Sequence, residues 1–309
     1  TLSPNNDEGI GTHTMKPDSL HPPLKQASIL KNLRCAYCGD ELSPETATRD
    51  HVIGRRFVPK GKLNAQWNLI LNACRQCNNR KSDLEDDIAA ITLLPDLLGQ
   101  FPHDDVAAME ESQRRASKSV SRRTRKPVQQ SDEHLTIKGT LGPGVNVSFG
   151  LISPPQIDEA RAFELARLHL TALFFWQTYN HDTRQGGWWL HGFHPVNTAR
   201  KEDWGNAAMR GFMQATHGWE GRLDAVTADG FFKVMTRRHP SAECWAWALE
   251  WNHSMRLIGF FGERAPAQDI VNGFPPMGWK TVHASSTRTS RSRLEVLLGE
   301  NDDTLFRRL

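Results

Sequence analysis

The sequence has no apolar run near the roughly 20 residues that a membrane-spanning helix requires, which excludes an integral helical membrane protein. Cysteine is scarce: there are five in 309 residues, and four of them fall in two C-x-x-C pairs. That usage argues against a secreted disulfide scaffold and for metal ligation. Residues 1–14 are polar and lack the apolar centre of a signal peptide. Met15 is a candidate natural start, and the chain is expected to be cytoplasmic and soluble, with no membrane partner. Charge of one sign is not in excess either. The formal net charge is only +3, so the total does not announce a nucleic-acid binder. No internal repeat is present, which excludes a solenoid. One local absence points the other way: no acid occurs from Arg114 to Lys126, among seven arginines and lysines.

The most informative residues lie between Cys35 and Asp83. Cys35-x-x-Cys38 and Cys74-x-x-Cys77 enclose a long insert, the spacing of a closed four-thiolate zinc site. Such a site leaves no position for water, so its zinc is structural, stapling a module too small to hold itself by burial. Inside the frame stand Asp50-His51-Val52-Ile53 and Asn68-Leu69-Ile70-Leu71, and Asn78-x-x-Lys81 follows the last cysteine.

These elements, in this order and spacing, resemble the HNH endonuclease family over about residues 35–90. The resemblance implies a ββα-metal fold, a hairpin and a helix gripping one catalytic divalent ion, and an Asn68 that braces the hairpin loop and His51 without touching the metal. Two positions depart from the family pattern. Asn78 stands where many members carry histidine, an H-N-N version also found in the family. Gly54 stands where a proline often follows, which bears on loop stiffness more than on chemistry.

The residue types agree with that assignment. Phosphodiester hydrolysis needs a deprotonated water in line with the leaving oxygen, and a cation to neutralise the charge that develops. His51, with an ordinary pKa near 6.5, is the candidate general base. Asp50 and Asn78 offer hard oxygen ligands suited to Mg²⁺ or Mn²⁺. Adjacent side chains on a flat strand face opposite ways, so a bend or strand end is expected at Asp50–His51. The competing readings are a zinc ribbon that carries the pair incidentally, and His51 as a further zinc ligand.

Cations surround the frame. Arg75, Arg80 and Lys81 are expected at the start of a helix, where free N–H groups favour a phosphate. Arg55 and Arg56 lie in a basic connection with Lys60 and Lys62, where they would follow a DNA backbone. Residues 104–126 read as one helix with Arg114, Lys118, Arg122 and Arg125 on one face, either a solvated surface or a phosphate-tracking arm.

The expected fold class is α+β. Residues 1–23 read as a disordered lead-in, 24–102 as the nuclease module (with a short helix over 24–33), and 103–130 as a basic helical linker. Residues 131–262 read as a Trp-rich α+β domain with antiparallel sheet, and 263–309 as a poorly ordered tail with a short helix near 293–298. Within the Trp-rich domain the pattern gives a hairpin through Gly142-Pro143-Gly144, a helix over 157–179, a loop over 186–195, a helix over 204–216 and four strands between 222 and 261. Nine of the ten tryptophans lie after residue 150. Trp245, Trp247 and Trp251 share one strand face, as a core under the long helix or as a pocket that stacks on a base. Trp188, Trp189, His191 and His194 form a loop cluster without metal spacing. The whole reads as a DNA endonuclease acting on duplex DNA, in restriction or antiviral defence, with the second half serving recognition, sensing or homodimerisation. The alternative is a non-catalytic zinc-stapled nucleic-acid-binding adaptor.

Overall fold

The computed structural model describes residues 27–96, 98–189, 191–284 and 289–306. The expected lead-in over 1–23 lies outside them. The first unit is a small mixed sheet, in order β1-β3-β2. β2 (Ala47–His51) pairs antiparallel with β3 (Leu69–Cys74), and β1 (Ser28–Ile29) lies parallel on the other edge of β3. The helix expected over 24–33 is therefore corrected within the described residues: Ser28 and Leu30 donate backbone bonds to Asn68 and Ile70 at 2.9 and 2.8 Å. Tertiary pairing overrides a weak local preference in so short a segment.

α1 (Arg75–Thr92) starts at the second cysteine pair, with Cys74 as its N-cap, and ends before Pro95. α2 (Val106–Lys118) stops well short of Lys126, correcting the single basic helix. Ser119 is extended, Val120 bridges back to Pro127, and Arg125 takes a left-handed φ of 61°. Arg122 and Arg125 are thus off the helix that carries Arg114 and Lys118. Pro127 lacks the N–H that a helix would need and fixes the turn.

β4 (Glu133–Gly142) and β5 (Val145–Ser153) form the expected hairpin, and α3 (Glu159–Gln177) the long apolar helix. The loop expected over 186–195 becomes a strand from residue 192, β6 (Gly192–Arg200), despite Pro195. β6 is an edge strand, and its register shifts opposite Ile258/Gly259, where a proline costs no ladder bond. α4 (Ala207–Thr216), β7 (Glu220–Thr227), β8 (Phe232–Arg238), β9 (Cys244–Trp251) and β10 (Met255–Gly262) follow. The large sheet is antiparallel, in order β6-β10-β9-β8-β7.

β9 and β10 are buried on both faces. Trp245, Trp247, Leu249 and Trp251 share a core cluster with α3 and with the first unit, from Leu30 to Leu93. Each such indole stabilises by roughly 4–6 kcal/mol if its area is counted in full. Ala246 and Ala248 face a second cluster with Met209, Phe212, Ala267 and Leu305. The tail beyond 262 supplies part of that layer, correcting its assignment as poorly ordered: α5 (Arg264–Asn272) and the hairpin of β11 (Lys280–Ala284) with β12 (Thr289–Ser292) are regular. Arg293 pairs with Asp203, and no helix forms near 293–298. Among the described residues, no helix is long and apolar enough to cross a membrane.

Candidate metal centres and nuclease site

Cys35, Cys38, Cys74 and Cys77 bring their sulfurs within 4.8 Å of one another. The Cys38 and Cys74 sulfurs are 3.9 Å apart, close to the ~3.8 Å edge of a tetrahedron with 2.3 Å metal–sulfur bonds. The arrangement is compatible with Zn²⁺. The Cys38 side chain is exposed at the edge of the cluster, and a bound zinc ion would hold all four sulfurs as thiolates. The first knuckle turns at Gly39, whose φ of 81° suits glycine. Trp188 packs on that glycine and donates its Nε1–H to the Ala36 carbonyl at 3.0 Å. The loop tryptophan thus covers the zinc knuckle, a role with no signal in the sequence.

β2 ends at His51, as the opposed orientations of Asp50 and His51 require. Asp50 points towards α1, together with Thr48 two residues before it. Its carboxylate accepts the Tyr37 hydroxyl and, at 3.3 Å, the Lys81 ammonium. Burial first, then the Asp50 charge, raise Tyr37 well above its ordinary value, so the phenol keeps its proton. Asn78 donates to Thr48 Oγ1 at 3.1 Å, a bond that does not use its amide oxygen. Carboxylate and amide oxygens are the donor types that a hard divalent ion takes, and each Asp50 oxygen keeps acceptor capacity beyond its present bond.

The His51 imidazole is half-buried, and its Nε2 is buried without a hydrogen-bond partner. Burial first, then the charge of Arg55, hold its pKa below the ordinary value. A neutral ring whose Nε2 makes no hydrogen bond has the lone pair that a general base uses on water admitted to it. Asn68 locks the turn behind it: its Oδ1 accepts the Ile53 N–H at 3.2 Å, and its Nδ2 donates to the Ile53 carbonyl at 2.8 Å. Arg49, exposed and two residues before His51 on β2, contributes charge to the same ring. Sequence reasoning missed it, although its two-residue spacing from His51 on a strand was a usable signal.

Lys81 corrects an expectation. It is 1 % exposed, not a surface cation at the helix start. Its ammonium bonds Glu85 at 2.9 Å and the His51 carbonyl at 2.9 Å as well as Asp50. Burial lowers its pKa, but Glu85 and Asp50 outweigh that and hold it above the ordinary value. Arg122 is likewise committed, to Asp83 at 2.7 Å and Asp86 at 3.7 Å. The Asp83 contact to Arg161 ties α1 to α3 in the same cluster. Arg55, Arg56 and Arg75 are exposed. Arg80 is exposed but pairs with Glu164 of α3 at 2.9 Å, and Arg114 lies 3.6 Å from Glu111. Lys118 is exposed at the end of α2. Arg115, in the same basic run, donates to the Arg56 and Val58 carbonyls and pins their loop.

Residues 35–84 match the HNH endonuclease family model. The match covers a segment only and carries no information on the five-stranded sheet. No curated protein matches the chain significantly, and no solved structure does. The HNH segment points to a nuclease or nucleic-acid-related function, and HNH nucleases act on DNA with divalent metals. Within the segment fall all four clustered cysteines, the Asp50–His51 strand end, Asn68 and Asn78.

Proposed function

We propose that the chain is a metal-dependent DNA endonuclease. The observation that carries this reading is His51: a half-buried imidazole with an unpartnered Nε2 at the end of β2, in the HNH segment, held neutral by burial and by Arg55. His51 takes the proton of the attacking water. Asp50 and Asn78 would hold Mg²⁺ or Mn²⁺, which supplies charge neutralisation at the phosphorane and the leaving oxygen. Tyr37 and Lys81 keep the Asp50 carboxylate in place. Asn68 fixes Ile53, and with it the turn that follows the base. Arg55, Arg56 and Arg75, with Arg49 beside the base, face solvent and bind the phosphates of duplex DNA. Cys35, Cys38, Cys74 and Cys77 hold Zn²⁺ in a structural role. Restriction or antiviral defence is the setting we favour, with the Trp-rich half giving recognition or regulation and a homodimer giving two sites for two strands.

The test is cleavage of plasmid and linear duplex DNA by the full chain with Mg²⁺ or Mn²⁺, before and after chelation, beside His51→Ala. Metal-dependent cutting that disappears in a folded, zinc-loaded His51→Ala is expected. Undiminished cutting by that variant would overturn the assignment of the base. Intact DNA under every metal condition, together with tight binding, would favour the adaptor reading.

A further inference from the structure

The turn behind His51 is held by an unusual set of contacts. Glu85 on α1 directs Oε1 at three groups: the Gly54 N–H at 3.1 Å, the Lys81 ammonium at 2.9 Å, and His169 Nε2 across 3.6 Å. Lys81 in turn donates to the His51 carbonyl at 2.9 Å. One carboxylate therefore governs both ends of the segment from the base to residue 54. Gly54 is the position where the resemblance implied a proline. A Cβ placed there would meet Glu85 Oε2 at 2.3 Å and its carboxyl carbon at 2.7 Å, and a proline would also remove the N–H that Glu85 accepts. The missing ring and the carboxylate fit each other: Glu85 supplies by hydrogen bonding the stiffness that a proline supplies by its ring.

His169 belongs to α3, far from the nuclease segment in sequence. It is fully buried, with ring edges packed on Phe57, Phe232 and Trp251 at centroid separations of 5.2–5.7 Å. Neither ring nitrogen has a hydrogen-bond partner. Three aromatic side chains thus clamp an imidazole whose Nε2 faces the carboxylate, and two of them, Phe232 and Trp251, come from the large sheet.

The geometry points to Glu85 and His169 as positioning residues for the nuclease site, with Glu85 setting the turn that carries the His51 carbonyl and His169 transmitting the placement of α3 and the large sheet to Glu85. This inference rests on the nuclease reading. It makes the second half a part of the catalytic geometry as well as an appendage for target choice. A displacement of the base on the scale of 1 Å can cost on the order of 100-fold in rate.

The experiment uses the full chain with Glu85→Gln, His169→Phe and Gly54→Ala. Hydrogen exchange of the Gly54 amide is followed without divalent metal or DNA, and cleavage kinetics are measured on duplex DNA. Expected are faster exchange of the residue-54 amide in all three variants and kcat lowered by about tenfold or more, with KM within about twofold. Glu85→Gln that is folded, protects Gly54 like the parent and keeps kcat within about twofold would overturn the proposal. His169→Phe matching the parent, while Glu85→Gln does not, would overturn the transmission from α3. Lost Gly54 protection in the variants of an inactive parent would support the positioning and defeat the nuclease reading instead.

Discussion

Replacing Lys81 by methionine separates its two possible roles, phosphate contact and structural counter-ion. The ammonium is 1 % exposed and touches Asp50 at 3.3 Å, Glu85 at 2.9 Å and the His51 carbonyl at 2.9 Å. Methionine nearly conserves the stem volume, so the cavity contribution is small. What is lost is the charge between two carboxylates whose side chains are only 6 % and 12 % exposed. Breaking a buried pair costs about 3–5 kcal/mol. The Tyr37 hydroxyl and the Gly54 N–H still donate to the stranded carboxylates, which places the expected loss near the middle of that range, about 4 kcal/mol. Domains are stable by roughly 5–15 kcal/mol in total, so the effect is large. The assay is urea unfolding at saturating zinc, followed by circular dichroism, where the midpoint should fall by about 1 M or more. A phosphate contact behaves differently: stability would stay within about 0.5 kcal/mol, and the salt dependence of DNA binding would weaken by about one ion. That second pattern would refute the buried-network reasoning.

Zinc content should be one ion per chain by metal analysis, and Cys35→Ser should abolish it and melt the HNH segment, because binding energies of about 10–16 kcal/mol are folding energy in such sites; an unchanged midpoint in stripped protein would contradict this. His253, pushed down to about 4 by burial, has a folded pKa below its unfolded value near 6.5. Its contribution is therefore complete above about pH 6.5 and fades as pH falls towards 4, by about 1.4 kcal/mol per unit. Glu250 opposes that shift, while Lys233 and His103 reinforce it. His253→Asn, which tolerates the left-handed φ of 57°, should flatten the fall in urea midpoint between pH 7 and 5, and an unaltered slope would exclude His253 as its source. Trp247→Ala should cost about 3–5 kcal/mol by calorimetry or urea unfolding, since the indole is 0 % exposed and stacks on Phe193 at 5.1 Å. Trp279→Ala, at an indole 51 % exposed, should cost under about 0.5 kcal/mol; equal losses at the two sites would count against the layered core.

Short-range chemistry made much of the HNH segment legible. Cysteine pairs, the Asp50–His51 dipeptide and the asparagines announce themselves because metal and proton chemistry restrict residue type and spacing, and the helix and strands between them follow from apolar periodicity. The same periodicity marked α3, α4 and β7–β10. It failed where pairing partners decide. Ser28–Ile29 and Gly192–Arg200 are strands because β3 and β10 offer them open edges. The stretch from Ser119 turns back where a count of cations suggested a continuing helix. Glu250 and Asn252 alternate in sequence with the indoles of β9, and being polar they carry no signal of burial, yet both are fully buried. Glu250 meets Arg256 and Lys233 at 2.8 and 2.7 Å, and Asn252 donates to Phe57 and Thr92.

By itself the sequence determined which atoms are available for the chemistry: four thiolates at zinc spacing, an imidazole beside a carboxylate, and amides at Asn68 and Asn78. Only the tertiary structure decided how they are used. It turned Lys81 from a surface cation into a buried counter-ion, placed Glu85 so close to Gly54 that a Cβ there would have to displace the carboxylate, and brought His169 from α3 to that carboxylate. The physical reason is that burial and partner identity depend on contacts between residues far apart in the chain. A lysine is a phosphate ligand in water and a structural ion between two carboxylates, and its own neighbours in sequence do not say which.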